Sequence, residues 1–181
     1  MARKSYVALL RGINVGGRNA VGMADLRAAF DDAGYRDVRT YINSGNVLFG
    51  TDRPSKGLEE QIEHFLERRF DVPLVVVVRS HAQFRAVVHE APDEFGAHPT
   101  RYHSDVLFLK RTVNARRLLT DIPLREGVDR SWAGAGVIYF ERLSARRTQS
   151  KLSRFTSLPA YKQTTIRSWS TTTKLLAMLD E

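Results

Sequence analysis

The order of hydrophobic patterns in the first 80 residues restricts the chain to very few folds. Four short apolar runs, rich in β-branched and aromatic residues, predict strands: Tyr6–Leu10, Val38–Ile42, Val47–Phe49 and Leu74–Val78. Apolar residues at helical spacing follow the first run, around residues 23–33, and the third run, around residues 58–70. The resulting order, β-α-β-β-α-β, is that of the ferredoxin-like fold.

The second half of the chain repeats this order. Its predicted strands are Val106–Leu109, Val128–Trp132, Val137–Phe140 and Thr164–Trp169. The predicted helices between them begin at Thr112, as a capping residue, and at Ser150. A trailing helix closes each half, the first capped by Ser80 together with Gln83 and the second beginning at Thr171.

A segment with repeated Pro and Gly, residues 91–103, separates the two halves. Because Pro and Gly interrupt regular structure, this segment is predicted to be a linker. The expected protein is therefore α+β, with a ferredoxin-like unit and trailing helix at 1–90 and a second, similar α+β unit at 104–181. The repeated order suggests an internal duplication.

Composition excludes several classes of protein. The 181 residues include no cysteine, which excludes disulfides, thiolate zinc sites and cysteine nucleophiles. No apolar run approaches the ~18–20 residues needed to cross a bilayer, and Arg11 ends the first run early. We expect a cytoplasmic protein with no membrane partner, and the oligomeric state is left open.

The net charge of +8 is unevenly distributed. Residues 1–100 contain 13 Lys and Arg against 13 Asp and Glu, whereas residues 101–181 contain 15 against 7. The stretch from Arg142 to Lys174 holds eight basic residues and no acidic one. Such a stretch attracts phosphates, although a solvated basic face explains the same composition. The candidate nucleic-acid-binding residues are Arg142, Arg146, Arg147, Lys151 and Arg154.

Aromatic residues are interleaved with this basic stretch. Phe155, Tyr161 and Trp169 are compatible with stacking on single-stranded bases, and the alternative is packing in the core.

A glycine-rich connection, Arg11–Asn19, follows the first predicted strand. Its spacing, Gly-x4-Gly-Arg-Asn, approaches that of a phosphate-binding loop, but Asn19 lacks the hydroxyl that would ligate magnesium. We therefore exclude a nucleoside triphosphatase. Two interpretations remain: Gly16 and Gly17 expose backbone N–H groups to an anion, or they supply positive φ for an awkward connection.

The topology places this connection beside a second polar segment. In the β-α-β-β-α-β unit the first and third strands are adjacent and antiparallel, so the glycine-rich connection lies next to the turn at residues 43–46. The two segments offer guanidinium and amide donors and no carboxylate, which favours an anionic ligand. The candidate ligand-binding residues are Arg11, Asn14, Gly16, Gly17, Arg18, Asn19, Asn43, Ser44 and Asn46.

Motifs for catalysis, metals and cofactors are not found. The five histidines lack metal-binding spacing, and no nucleophile elbow occurs, so catalytic residues stay unassigned and no metal or cofactor is expected. The acidic pairs Asp31–Asp32 and Glu59–Glu60 lie on predicted helix faces, where we expect solvated charge.

Taken together, these segments resemble domain-of-unknown-function family 1697. The resemblance rests on Tyr6–Asn19, Met23 with Leu26, Thr40–Phe49, and weaker similarity at Ser150–Leu152 and Thr165–Leu175. Members usually have lysine at the position of Arg18, and Arg-Asn-Trp-Asn-Thr where this chain has Arg167–Thr171. The resemblance implies a two-part α+β fold of bacterial type and no particular activity.

Three functions stay open at this point. The first is a binding module for an anionic ligand, either a phosphate-bearing or nucleotide-like small molecule or a nucleic acid. The second is an enzyme acting on a phosphorylated or acidic metabolite, and the third is a protein-interaction module. A convergent pocket with a titratable group of shifted pKa would favour the enzyme, and a flat apolar patch would favour the interaction module.

Overall fold

The computed structural model describes residues 4–14 and 20–181. The predicted β-α-β-β-α-β order of the first half is confirmed. Its elements are β1 (Ser5–Arg11), α1 (Met23–Asp32), β2 (Arg36–Tyr41), β3 (Asn46–Gly50), α2 (Leu58–Phe70), β4 (Val75–Ser80) and α3 (His81–His89).

The four strands form an antiparallel sheet of order β2-β3-β1-β4. Alternate residues of β1 have side chains on the same face, so Tyr6, Ala8 and Leu10 pack with Leu26 and Phe30 of α1 in one buried cluster. Residues Ile62 and Leu66 of α2 complete this cluster. The sheet with its two helices is the frame that carries the connections at the end of β1.

The second half has the same order and sheet topology, which confirms the two similar α+β units. Its elements are β5 (Tyr102–Leu109), α4 (Ala115–Asp121), β6 (Asp129–Gly134), β7 (Val137–Leu143), α5 (Leu152–Phe155), β8 (Thr164–Ser168) and α6 (Trp169–Asp180). The antiparallel sheet order is β6-β7-β5-β8. Two short 3₁₀ segments, Ser144–Gln149 and Pro159–Gln163, lie on either side of α5.

The chain divides into two compact units between Phe84 and Arg85. Unit 1 consists of the residues up to Phe84 together with Leu175–Glu181, and unit 2 is Arg85–Lys174. Within unit 2, Gly96 of the predicted linker donates its N–H to the buried carboxylate of Glu141 at 2.8 Å. The linker at 91–103 stays a prediction, and limited proteolysis within that segment would test it.

One predicted helix start has the capping residues that the sequence indicated, and two others begin differently from the prediction. Ser80 Oγ accepts from Gln83 N at 3.3 Å and Ser80 N donates to Gln83 Oε1 at 3.0 Å, which is the predicted capping box. The residue that caps α4 is Asn114 and not Thr112, because Asn114 Oδ1 accepts from Arg117 N at 3.0 Å. The closing helix α6 begins at Trp169, two residues before the predicted start at Thr171.

The outer edge of β4 is protected by carboxylates from α2. Glu59 Oε1 accepts from Val78 N at 2.9 Å, and Glu63 Oε1 accepts from Val76 N at 2.8 Å. The expectation that Glu59 is a solvated charge was wrong, since only 4% of it is exposed and it lies 3.7 Å from the buried guanidinium of Arg79. Paired N–H groups make this apolar edge a poor template for another strand.

No helix in the described residues is long and apolar enough to span a membrane.

Candidate functional site

The structure brings together the two polar segments at the end of β1, which we call the rim: residues 11–14 and 42–46. Leu10 N donates to Gly45 O at 2.8 Å, one residue after the last pairing of β1 with β3, between Leu9 and Asn46. Asn14 Nδ2 donates to Asn43 O at 3.0 Å, joining the start of the glycine-rich connection to the turn. The proximity expected from strand order is therefore present, and whether a ligand binds here stays a prediction.

Asn14 holds the two ends of the connection together. Its Nδ2 donates to Val21 O at 2.9 Å, and its Oδ1 accepts from Val21 N at 2.8 Å. With the bond to Asn43 O, both amide hydrogens of Asn14 are used within the protein. Asn14 has φ of 54°, a conformation that asparagine tolerates better than most residues. Its role in this structure is to shape the connection.

Asn46 plays a similar part in the turn. The residue is fully buried, and its Nδ2 donates to Tyr41 O at 2.9 Å and to Ser44 Oγ at 3.0 Å. These bonds close the turn between β2 and β3. Two of the predicted ligand donors, Asn14 and Asn46, thus serve the scaffold with their amide hydrogens.

The remaining rim residues are more accessible. Arg11 is half-buried at the end of β1, and Asn43 and Ser44 are exposed. Gly45, which follows Ser44, is required by close packing, because a Cβ there would lie 2.8 Å from Leu10 Cβ. The predicted site residues Gly16, Gly17, Arg18 and Asn19 lie outside the described residues.

Ile42 is a rim residue that the sequence analysis did not single out. It was assigned to the second strand, but β2 ends at Tyr41, and Ile42 is the first residue of the turn. Its φ is 47° and 49% of it is exposed. A positive φ is unusual for a β-branched residue, whose high strand propensity gave no sequence signal for this conformation.

The charge of the rim is one-sided. Acidic residues are absent from positions 1–24 and 38–51 of the sequence, which include both rim segments. Arg11 therefore lies in a part of the sequence that contributes no carboxylate, an arrangement that suits an anion.

The candidate basic residues of unit 2 differ in their exposure. Arg142 lies in β7 and donates to the buried carboxylate of Asp105 at 3.2 Å. Lys151 is half-buried, and its backbone N–H donates to Asp129 Oδ2 at 2.9 Å. Arg146, Arg147 and Arg154 are exposed.

The aromatic residues of this stretch are packed against other rings. Phe155 is fully buried and meets Tyr161 edge-on with ring centroids 5.5 Å apart. Trp169 is half-buried and meets Phe95 edge-on at 5.0 Å. The structure therefore agrees with core packing for these rings.

Asp105 is a perturbed acid that the sequence analysis missed. Burial raises its pKa above the ordinary value, although His103 and Arg142 both lower it. The exposed His103 has its Nε2 3.3 Å from Asp105 Oδ1. These residues form one charged cluster on β5 and β7, and the available sequence signal was Asp105 standing directly before the apolar run Val106–Leu109 of the same strand.

A small concavity in unit 1 lies at the bulged part of β2, where Arg36 and Arg39 contribute to its lining. Both arginines have acidic partners, since Arg36 pairs with Asp52 at 2.5 Å and Arg39 with Glu181 at 2.7 Å. The cations that line this concavity are therefore neutralised within the protein.

Across residues 4–14 and 20–181, no three acidic or histidine side chains cluster as metal ligands would.

Comparisons with known proteins identify the family of the chain. The structure is similar to that of a conserved bacterial protein from Streptococcus pneumoniae, with a TM-score of 0.86 and 27% identity over 98% of this chain and 99% of that chain. No curated protein matches the sequence. Residues 3–139 match the family described as protein of unknown function (DUF1697). Since this match spans well over half of the sequence, the chain belongs to the DUF1697 family.

Proposed function

We propose that this protein is a binding module for an anionic ligand and that the rim of unit 1 is its site. The main support is a difference between two equivalent places in the structure. Leu10 N donates to Gly45 O in unit 1, and Leu109 N donates to Gly136 O at 3.1 Å in unit 2. Both central strands thus end at the same kind of contact with a neighbouring turn.

The connections around these two contacts differ in length. Unit 1 uses residues 12–22 between β1 and α1, whereas unit 2 uses only residues 110–114 between β5 and α4. Likewise, residues 42–45 join β2 to β3, and only residues 135–136 join β6 to β7. Unit 2 forms the same fold with the shorter connections. The additional residues of unit 1 are therefore not needed for the fold and are available for a function.

The guanidinium of Arg11, within the rim, favours an anionic ligand. Guanidinium groups bind carboxylates and phosphates through paired hydrogen bonds, and Arg11 is held at the end of a central strand. Because the strand already fixes the backbone of Arg11, binding has to order only its side chain, whereas on a loop the backbone would be ordered too.

The test compares Arg11→Gln with Lys110→Gln. Lys110 follows Leu109 as Arg11 follows Leu10, so it is the matched basic residue of the other unit. With inorganic phosphate and phenyl phosphate as probes in titration calorimetry, we expect Arg11→Gln to weaken binding by about 10–100-fold, as for removal of a charged hydrogen bond. Lys110→Gln should leave both affinities unchanged. Equal weakening in the two variants, or binding that survives Arg11→Gln, would contradict the rim as the site.

A second candidate, a nucleic-acid surface on unit 2, is favoured by the distribution of charge. Residues 85–174 contain 16 basic and 8 acidic residues, a net +8, while residues 1–84 and 175–181 contain 12 of each. Three of the eight acidic residues of unit 2 are buried: Asp105, Asp129 and Glu141. Its accessible surface is therefore still more basic than its composition.

This candidate has its own matched pair of variants. Arg146 and Arg147 are adjacent exposed arginines on unit 2, and Arg68 and Arg69 are adjacent exposed arginines on the electroneutral unit 1. Replacing the first pair by glutamine should weaken binding of a mixed-sequence single strand and reduce the salt slope by about 0.7 for each phosphate that is no longer neutralised. Replacing the second pair should leave the slope unchanged, and no binding at low salt would end this candidate.

We also propose a cytoplasmic location, in keeping with the lack of cysteine.

A further inference from the structure

The conformation of Ile42 calls for an explanation. In L-residues a positive φ brings Cβ close to the following carbonyl, and branching at Cβ makes this worse. The four non-glycine residues described with positive φ are Asn14, Asp37, Ile42 and Asp71. Three of them are Asn or Asp, which tolerate this conformation, so Ile42 is the exception.

Packing within the protein does not account for this choice. Ile42 is 49% exposed and lies outside the buried cluster that joins β1 to α1 and α2. In the matching hairpin of unit 2 the positive φ of 72° lies at Gly136, which corresponds to Gly45 with φ of 74°, so Ile42 is an additional residue with positive φ in the hairpin of unit 1. A β-branched residue is thus held in an unfavourable conformation at the rim without the burial that would offset its cost.

Ile42 also stands next to the anchor points of the rim. Its neighbour Asn43 accepts the hydrogen bond from Asn14, and two residues further Gly45 accepts the one from Leu10, which precedes Arg11. An exposed aliphatic side chain and a guanidinium are therefore attached to the two sides of one hydrogen-bonded junction.

We propose that the rim ligand is an organic anion, with an apolar group beside its phosphate or carboxylate, and that Ile42 contacts the apolar group. This inference rests on the proposed anion site and adds the chemical class of its ligand. Contact with a ring or alkyl chain buries the exposed part of Ile42, and that burial offsets the cost of its backbone conformation. Inorganic phosphate lacks such a group and gains nothing from Ile42.

Two probes and two variants test this. Phenyl phosphate should bind the wild-type protein about tenfold more tightly than inorganic phosphate, as expected for burying some tens of Å² of apolar surface. In Ile42→Asn that preference should disappear while the affinity for inorganic phosphate is kept. The same substitution places an asparagine, which tolerates positive φ, where a β-branched residue stood, so the unfolding temperature should rise by about 2–4 °C.

The control is Leu124→Asn, which removes the other large hydrophobic residue that is exposed among those described, at 38%, and lies in unit 2. It should alter neither affinity. Equal binding of the two probes to the wild type would overturn this inference while leaving the anion site in place. Binding of neither probe would overturn the anion site itself. A lower unfolding temperature for Ile42→Asn, or an unchanged preference for phenyl phosphate, would assign Ile42 to packing or to a protein partner and overturn the inference.

Discussion

The two units share the same sheet topology and differ in their connecting segments, in their second helix and in their charge. Val7 of β1 pairs with Arg79 of β4, and Val106 of β5 pairs with Arg167 of β8. In each unit a serine follows that buried arginine and caps the trailing helix: Ser80 accepts from Gln83 N, and Ser168 accepts from Thr171 N at 3.2 Å. This Arg-Ser pair recurs where strand and helix meet in both units, so it belongs to the shared fold.

The features that differ are those the frame does not need. Unit 1 has a long helix α2 and extended connections at the rim, and its charges balance. Unit 2 replaces α2 by short helical segments, has short connections, and holds the whole net charge of +8. The comparison separates the two proposed surfaces, because each belongs to one unit and has a matched control in the other.

The largest effect is expected for Glu59→Ala in unit 1. This change removes the acceptor of Val78 N and leaves the buried Arg79 without the carboxylate 3.7 Å away. Breaking a buried ion pair from one side costs about 3–5 kcal/mol in free energy of unfolding. The neighbouring Glu60→Ala, at an exposed position, is the control and should cost about 0.5 kcal/mol or less, measured by denaturant unfolding.

A decrease for Glu59→Ala as small as that for Glu60→Ala would mean that α2 does not protect the edge of β4. Glu59→Gln keeps an acceptor for Val78 N and should fall between the two.

The second-largest effect on the free energy of unfolding is expected for Asn14→Ala in unit 1, which we compare with Asn114→Ala in unit 2. The two residues lie in corresponding connections, but Asn14 makes three hydrogen bonds with the backbone and Asn114 makes one cap bond to Arg117 N. At about 1 kcal/mol for each bond, Asn14→Ala should cost about 2–3 kcal/mol, and removal of the cap should cost about 1 kcal/mol. Equal costs, measured by denaturant unfolding, would show that the longer connection is not held by its asparagine.

The smallest effect concerns the pH dependence of unit 2. Burial raises the pKa of Asp105 above 3.8, so the folded state binds this proton more tightly than the unfolded state. Its contribution to stability is therefore complete below pH 3.8 and is lost as pH rises through the folded-state pKa. Asp105→Asn cannot titrate, so its free energy of unfolding should fall less than that of the wild type between about pH 4 and about pH 7.

Exposed Asp121→Asn, in the same unit, is the control for removal of a carboxylate. A wild-type curve parallel to that of Asp105→Asn would show that the burial of Asp105 has no consequence for stability.

The sequence by itself determined the order of strands and helices, because hydrophobic periodicity is local and each element carries its own signal. The capping box of Ser80 and Gln83 could be predicted for the same reason, since both residues lie within one helical turn. The proximity of the two rim segments also followed from the sequence, because the strand order of a ferredoxin-like sheet leaves one arrangement of its ends.

Tertiary structure alone decided what the polar residues do. Asn14 and Asn46 were predicted as ligand-binding residues, and the structure shows their amide hydrogens bonded to backbone and hydroxyl oxygens of the connection and the turn. Glu59 was interpreted as a surface charge because its partners, Val78 and Arg79, are about twenty residues away in the sequence. Ile42 was interpreted as part of a strand because β-branching favours strands, and only the turn reveals its positive φ. The physical reason is that hydrogen bonds, burial and backbone conformation are set by the folded arrangement of the chain, whether the partner is two residues away, as Ser44 is from Asn46, or twenty, as Arg79 is from Glu59.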